Sequence, residues 1–581
     1  MRYKGIMSDK KNLGLSIILA LSFALFLPLI ISDPLSGFDD PKVVVSLEKV
    51  SGLGGYLEIF KKHQLLDIQP IRDFSLWLDW QVKKLTGIGT FHATNWVIWG
   101  FILFFFHSLL KQLPLSPLWH FFFLGLYAFN PSFVHAVGWA SARKHLLSTF
   151  FILWATYLLF KHQESIKHLN KISLRLMALL IILYLLSCFS QPINVLWPLW
   201  VGLFFLYSRP KGFLPLMVIL GLIALGVLGI NYHYYTQIFP LQTHGIDKFV
   251  TNQADHSTIA FFFLAIGRYF LQLTFPYWPS PVPIGPGSSP NIVGLFIFPL
   301  VTYFFWKRVP RDKFALWGLY FLFPLLTVVV KTTQIFVMNT YLINAAVGFY
   351  LLLAMAIVKN IKKRWLNHAF FLTLSVAILL PWIIISWQQT KTWQSNFYFW
   401  KNAYQMEPIT ITQYAYAKEL MNNKQADQAY PLVIGLFADG YLDPELPLLL
   451  AKSIFYHSQL QIPDKIKQLQ VLMQKNDLEK SPWINYYLAG AYAQIPNWPS
   501  AYKILKDATI NKEIFIQAMQ RDLETILIEL VFYCQKVPQN APMACWEEAK
   551  DLKKLVPQGT WRENFWQKRA KELNLTPPPL Y

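Results

Sequence analysis

The sequence predicts an all-α protein in two parts, a polytopic helical membrane domain over 1–390 and a soluble helical-repeat domain over 391–581. Three observations predict it. Long apolar runs recur through the first part, and a helix rising about 1.5 Å per residue needs roughly twenty apolar residues to cross a bilayer core. These runs stop after Gln388, where the composition turns polar and mixed in charge. The net charge of +20 divides at the same place, with +18 before Lys391 and +2 from Lys391 onward. The basic excess is therefore a membrane feature and not a nucleic-acid footprint.

Residues 1–12 are basic and precede the first run, 13–32, which predicts a cytoplasmic N-terminus. That run ends in Leu-Ile-Ile-Ser-Asp-Pro without an A-x-A-like site, so a retained span is expected in place of a cleaved signal. Further spans are expected over 96–110, 118–137, 146–160, 174–189, 192–207, 213–230, 292–306, 314–330, 337–358 and 370–387, about eleven in all. Basic clusters at 161–171, Arg209 with Lys211, 307–313 and 359–364 lie between spans, and the positive-inside rule puts them in the cytoplasm. A span over 258–278 would throw 307–313 to the outside. That segment is interrupted by Gly267-Arg268 and Gln272 and ends in Pro276-Tyr-Trp-Pro-Ser-Pro, so a re-entrant or interfacial helix is expected. The extracytoplasmic regions are then 33–90, 232–291 and, by the odd count of spans, 391–581.

Eight of the thirteen acids before Lys391 lie between Asp33 and Asp79, and no apolar run contains one. Proton relays and ion-coupled carriers need acids within their spans. The chemistry is therefore expected at the outer face, with a transporter or flippase disfavoured. Asp39 and Asp40, in Gly37-Phe-Asp-Asp-Pro, follow the first span by a few residues. A carboxylate there suits a general base acting on a membrane-borne substrate, while a solvated turn is the alternative use of the same residues. His63, His92, His135 and His145 follow no recognised ligand spacing, so no metal site is expected, although a divalent metal stays open.

The first loop, with Gly37-Phe-Asp-Asp-Pro-Lys-Val-Val, Val50-Ser-Gly-Leu-Gly-Gly-Tyr and Leu66-Asp-Ile-Gln-Pro-Ile-Arg-Asp-Phe-Ser-Leu-Trp-Leu-Asp, resembles that of the GT-C glycosyltransferases carrying tetratricopeptide repeats. These are the transmembrane O-mannosyltransferases and their bacterial relatives. Phe91-His-Ala-Thr-Asn, Asn130-Pro-Ser-Phe-Val-His, Ser190-Gln-Pro and Gly267-Arg-Tyr continue the likeness in order. The resemblance implies a transferase that moves a sugar from a polyprenyl-phosphate donor to a Ser or Thr hydroxyl of an exported protein, in a bacterial inner membrane with the repeat domain in the periplasm. It implies a first-loop acid as base, here Asp39 or Asp40, with Asp79, His92, Asn95 and His135 supporting the substrate pocket. Arg143 and Lys144 are the expected lipid-phosphate contacts, and Arg268 and Lys331 are the second choices, each with a snorkelling alternative. The chain departs from the family's pattern at Asn130, Phe133, His135 and His145. A late Arg is absent around Met338-Asn-Thr-Tyr341, and Gln191 stands where a Lys is common. A scaffold of the same fold that has lost its chemistry is the alternative function.

In the second part, Leu488, Ala489, Tyr492, Ala501, Leu505 and Ala508 follow the small-and-large spacing of tetratricopeptide repeats, as do Ala417, Leu420, Ala429 and Val433. Leu450, Ala451 and Ile454 supply a degenerate repeat between them. About three repeats are expected, and such a stack either holds a protein partner or braces the membrane part. Cys534 and Cys545 flank Pro538 and Pro542 and either pair or stay free.

Overall fold

The computed structural model describes residues 2–35, 40–50, 52, 54–56, 69–205, 210–233, 267, 269–274, 276, 320, 324, 339–360, 368–406, 408–441, 443, 445–474, 482–495, 497–510 and 571. Among the described residues the chain is helical and forms no strand. It divides into two compact units, Met1–Glu407 and Pro408–Tyr581.

The first unit opens with α1 (Arg2–Ser32), followed by a single helical turn at Asp40–Val43. Then come α2 (Pro70–Thr86), α3 (Phe91–Leu110), α4 (Pro117–Ala128), α5 (Val134–Gly138), α6 (Arg143–Leu169), α7 (Leu174–Ser190), α8 (Trp197–Phe204) and α9 (Phe213–His233). After residues outside the description come α10 (Leu342–Asn360), α11 (His368–Thr392) and α12 (Asn396–Met406). Among the described residues four helices are long and apolar enough to cross a membrane: Lys11–Ser32, Phe91–Leu110, Phe213–His233 and Thr373–Thr392. α1 packs on α3, α4 and α11, α6 packs on α3 and α7, and α10 closes against α4 and α6. The expected span 292–306 lies outside the described residues, as do 314–330 apart from Tyr320 and Pro324, most of 258–278 and both Cys534 and Cys545.

The expected straight span over 118–137 is broken. Pro117–Ala128 and Pro131–Gly138 meet at 44°, so at most they make one bent span. Asn130 Oδ1 accepts the Ser132 amide at 2.9 Å, which starts a new turn, and Pro131 has no N–H to continue the old one. Asn130 Nδ2 then donates to Gln272 O at 3.2 Å and Tyr350 Oη at 2.9 Å, so the break is held by neighbouring chain segments.

Terminal residues set the other boundaries. Ser116 and Ser173 accept amides at the starts of α4 and α7, and Pro70 occupies the first turn of α2, where a missing N–H costs nothing. α2 stops at Gly87, whose φ of 74° is the left-handed conformation of a helix C-cap. Over α2 lies a small core made of Val43, Val44, Leu47, Val50, Tyr56, Leu76, Trp80, Phe91 and Ala140. Trp80 Nε1 donates to Val44 O at 2.6 Å and Tyr56 Oη to Pro70 O at 2.6 Å, which ties the segment after α1 to α2.

The second unit is a succession of short helices: α13 (Thr410–Asn422), α14 (Ala426–Ala438), α15 (Leu446–Tyr456), α16 (Ile462–Gln474), α17 (Pro482–Gln494) and α18 (Trp498–Ile510). Each packs on the next in chain order. Ala417, Leu420, Ala429, Val433, Leu450, Ala451, Ile454, Leu488, Ala489 and Ala501 are all buried, with alanines allowing close helix approach.

A candidate active site around Asp40, Asp79 and Arg143

Asp40 opens the single turn that follows α1, and its carboxylate has no exposed surface. The apolar residues behind it, Val43, Val44 and Leu47, are buried and hold the turn down. Asp40 Oδ1 accepts the Ser141 amide at 2.9 Å and the Ser141 hydroxyl at 2.5 Å. Ser141 lies in the turn Ala140–Ala142, between α5 and α6.

Two residues on, Arg143 begins α6 and is fully buried. Its partner comes from α2, whose inward stripe is Arg72, Asp73, Leu76, Asp79 and Trp80, at helical spacing. Arg143 Nη2 lies 2.5 Å from Asp79 Oδ2. The guanidinium also donates through Nε to Asn95 Oδ1 at 2.7 Å, through Nη2 to Phe91 O at 2.7 Å and through Nη1 to Ser75 Oγ at 3.4 Å. Asp79 Oδ1 accepts the hydroxyls of Thr90 and Thr94 at 2.9 and 2.8 Å. Burial pulls Arg143 down from its ordinary pKa, against the opposing fields of Asp79, Asp33 and Asp40. A guanidinium stays charged in spite of this, which is why its burial requires the carboxylate.

A second buried pair adjoins the first. His92 Nδ1 lies 2.8 Å from Asp33 Oδ1 and His92 Nε2 lies 3.1 Å from Gly138 O. Both ring nitrogens face oxygen atoms of neighbouring groups. Asp33 also accepts the amides of His92 at 3.0 Å and Phe91 at 3.4 Å, capping the start of α3. Burial raises the Asp33 pKa, but the bonds and charge from His92, with the two amides, outweigh it and leave the group below its ordinary value. Gly89 permits this approach, since a Cβ there would lie 2.0 Å from Asp33 Oδ2. Asn95 Nδ2 donates to Val137 O at 3.2 Å and Trp139 O at 3.3 Å. The stretch 137–143 is thus the shelf on which the cluster is assembled.

Of the residues singled out in the sequence, Asp40, Asp79, His92, Asn95 and Arg143 meet in this cluster. Lys144 follows Arg143 and is partly exposed. His135 is buried, with its ring 5.5 Å from that of Trp393. Phe133 packs on Trp99 and Tyr127, and His145 sets its ring edge-on to Tyr341 at 4.8 Å. Gln191 accepts from Gln69 Nε2 at 2.6 Å, a buried bond that anchors the start of α2 near the end of α7. Asp39, Arg268 and Lys331 lie outside the described residues. Sequence reasoning missed Asp33, Ser75, Thr90, Thr94 and Ser141. The sequence signal for Asp33 was its place directly after an apolar run; Ser141 had none.

Chemically, the cluster offers a carboxylate already engaging a hydroxyl, next to the buried Arg143–Asp79 ion pair and the His92–Asp33 contact. Among the described residues no three His, Cys, Asp or Glu side chains converge as a metal site. Comparison with known protein families, with curated proteins and with solved structures finds no match for this chain.

Proposed function

We propose that the chain is an integral membrane glycosyltransferase of the GT-C type with a tetratricopeptide-like C-terminal domain. In this reading it transfers a sugar from a polyprenyl-phosphate donor to a Ser or Thr hydroxyl of an exported protein, at the periplasmic face of a bacterial inner membrane. One observation carries it: Asp40 Oδ1 holds a serine hydroxyl at 2.5 Å, the contact a general base makes with an acceptor hydroxyl. The acceptor hydroxyl takes the place of Ser141 Oγ, and Asp40, or its neighbour Asp39, removes the proton as oxygen attacks the anomeric carbon. Arg143 contributes its positive field as charge grows on the departing lipid phosphate, with Lys144, Arg268 and Lys331 as the remaining candidate cations. The four membrane-length helices are compatible with a lipid-borne donor, and the stacked helices of 408–510 suit the capture of a polypeptide.

Intact-mass measurement of exported proteins, in cells with and without the chain, tests this. Asp40→Asn is expected to remove the added sugar mass at unchanged membrane insertion, a loss of about 100-fold or more in rate. Sugar transfer that persists in both Asp39→Asn and Asp40→Asn shows that the assigned base is wrong.

A second reading follows from the zero exposure of Asp40 and from the engagement of Arg143 by Asp79, Asn95 and Phe91 O. Here the cluster only clamps the first loop to α3 and α6, and the chain is a platform for a protein partner of the repeat domain. It predicts that no exported protein changes mass, and that deletion of 391–581 is the damaging change.

A further inference from the structure

α2 is amphipathic in the reverse of the usual sense. Its buried stripe carries Arg72, Asp73 and Asp79, whereas Phe74, Leu78, Val82 and Leu85 are exposed by 38, 44, 40 and 86 %. At 3.6 residues per turn these four fall within roughly 80° of one another, opposite the charged stripe. A helix on the surface of a water-soluble domain has the opposite arrangement. An apolar occupant is therefore needed on the outer face of α2.

The position of α2 identifies that occupant. α2 ends at Thr86, and α3, a helix of membrane-crossing length, starts at Phe91. The first amides of α3 are bonded by Asp33, the residue that follows α1, so the end of one membrane-length helix and the start of another meet beside the C-terminal end of α2. The apolar surface is also continuous along the chain, since exposed Leu85 and Ile88 lead to exposed Val97, Phe101 and Phe104 on α3. Lys83 and Lys84 lie in the last turn of α2, with Lys83 Nζ 4.7 Å above the Trp80 ring and Lys84 Nζ donating to Glu48 O at 2.6 Å. Lysine side chains near a membrane surface extend their ammonium groups to headgroup depth.

We infer that α2 is an interfacial helix that lies in the membrane surface, with Phe74, Leu78, Val82 and Leu85 inserted at the boundary of headgroups and acyl chains. The occupant of its outer face is phospholipid, an assignment that rests on the membrane location proposed for the chain. The same helix carries Asp79 on its inner face, so lipid on one side and Arg143 on the other together set the depth of the cluster.

Spin labels at Leu78 and Val82, in full-length protein whose three cysteines have been replaced, test this in liposomes of phosphatidylethanolamine and phosphatidylglycerol. Leu222, exposed on the membrane-length helix α9, is the lipid control, and Gln428, exposed in the second unit, is the aqueous control. Labels at 78 and 82 are expected to collide with oxygen severalfold more often than with a water-soluble nickel chelate, as at 222 and unlike 428. Labels at 78 and 82 that match 428 overturn the inference while leaving the membrane assignment intact. Labels closed to both reagents also overturn it, because a protein surface then covers the helix. A label at 222 that matches 428 removes the membrane assignment itself.

Discussion

The Arg143 guanidinium lies 2.5 Å from the Asp79 carboxylate, and neither side chain is more than 7 % exposed. Removing one member of a buried pair strands the other charge, at a cost of about 3 to 5 kcal/mol. Arg143→Met is therefore expected to lower the thermal unfolding temperature in detergent sharply, and Asp79→Leu to do the same. The double variant is expected to recover most of the loss, because an apolar pair leaves no buried charge. Single and double variants that unfold alike disprove the coupling.

Asp33 gives the first unit a defined acid response. Its folded pKa is depressed below the ordinary 3.8, so its stabilisation is complete above that value and is lost as pH falls through the folded one. Asp33→Asn is expected to lower stability at pH 7 and to flatten the stability profile below about pH 4. His92→Phe removes the main partner of the carboxylate, so the acid transition is expected to move to higher pH. Equilibrium unfolding followed by fluorescence across pH reads both effects.

Gly138 has no room for a side chain. A Cβ there would lie 2.9 Å from Trp393 Cγ and 3.3 Å from Leu29 Cδ1. Gly138→Ala is expected to cost about 1 to 3 kcal/mol through overpacking, with partial rescue by Trp393→Leu, which shrinks the opposing ring. Thermal unfolding of the two single variants and the pair separates this contact from a general backbone effect.

Asn130 holds the break between α4 and the turn that follows. Asn130→Ala leaves the Ser132 amide, Gln272 O and Tyr350 Oη short of a buried partner, and each such loss costs about 1 to 3 kcal/mol. Asn130→Asp keeps the cap acceptor but buries an unpaired carboxylate against the Gln272 carbonyl, so thermal unfolding is expected to show it at least as destabilised as Asn130→Ala.

Legibility in the sequence followed the range of the physics. The helices over 13–32, 96–110, 213–230 and 370–387 were readable because the bilayer length requirement is a property of a contiguous run. The break at Asn130-Pro131 was present as local chemistry, yet the apolar run continued through it, and hydropathy averages over a missing N–H. The acids between Asp33 and Asp79 marked the site region by their clustering. Their partners were hidden, since Ser141 and Arg143 lie about a hundred and about sixty residues away from Asp40 and Asp79, and no periodicity links such positions.

Composition and apolar patterning alone therefore decided that this is a helical chain with membrane-length segments followed by short stacked helices. Those properties depend on neighbours a few residues apart. Only the tertiary structure decided that Arg143 neutralises Asp79, that His92 answers Asp33, and that α2 turns its charges inward and its apolar residues outward. A buried charge must find an opposite charge within a few ångströms, and whichever helix supplies it is chosen by packing and not by order along the chain.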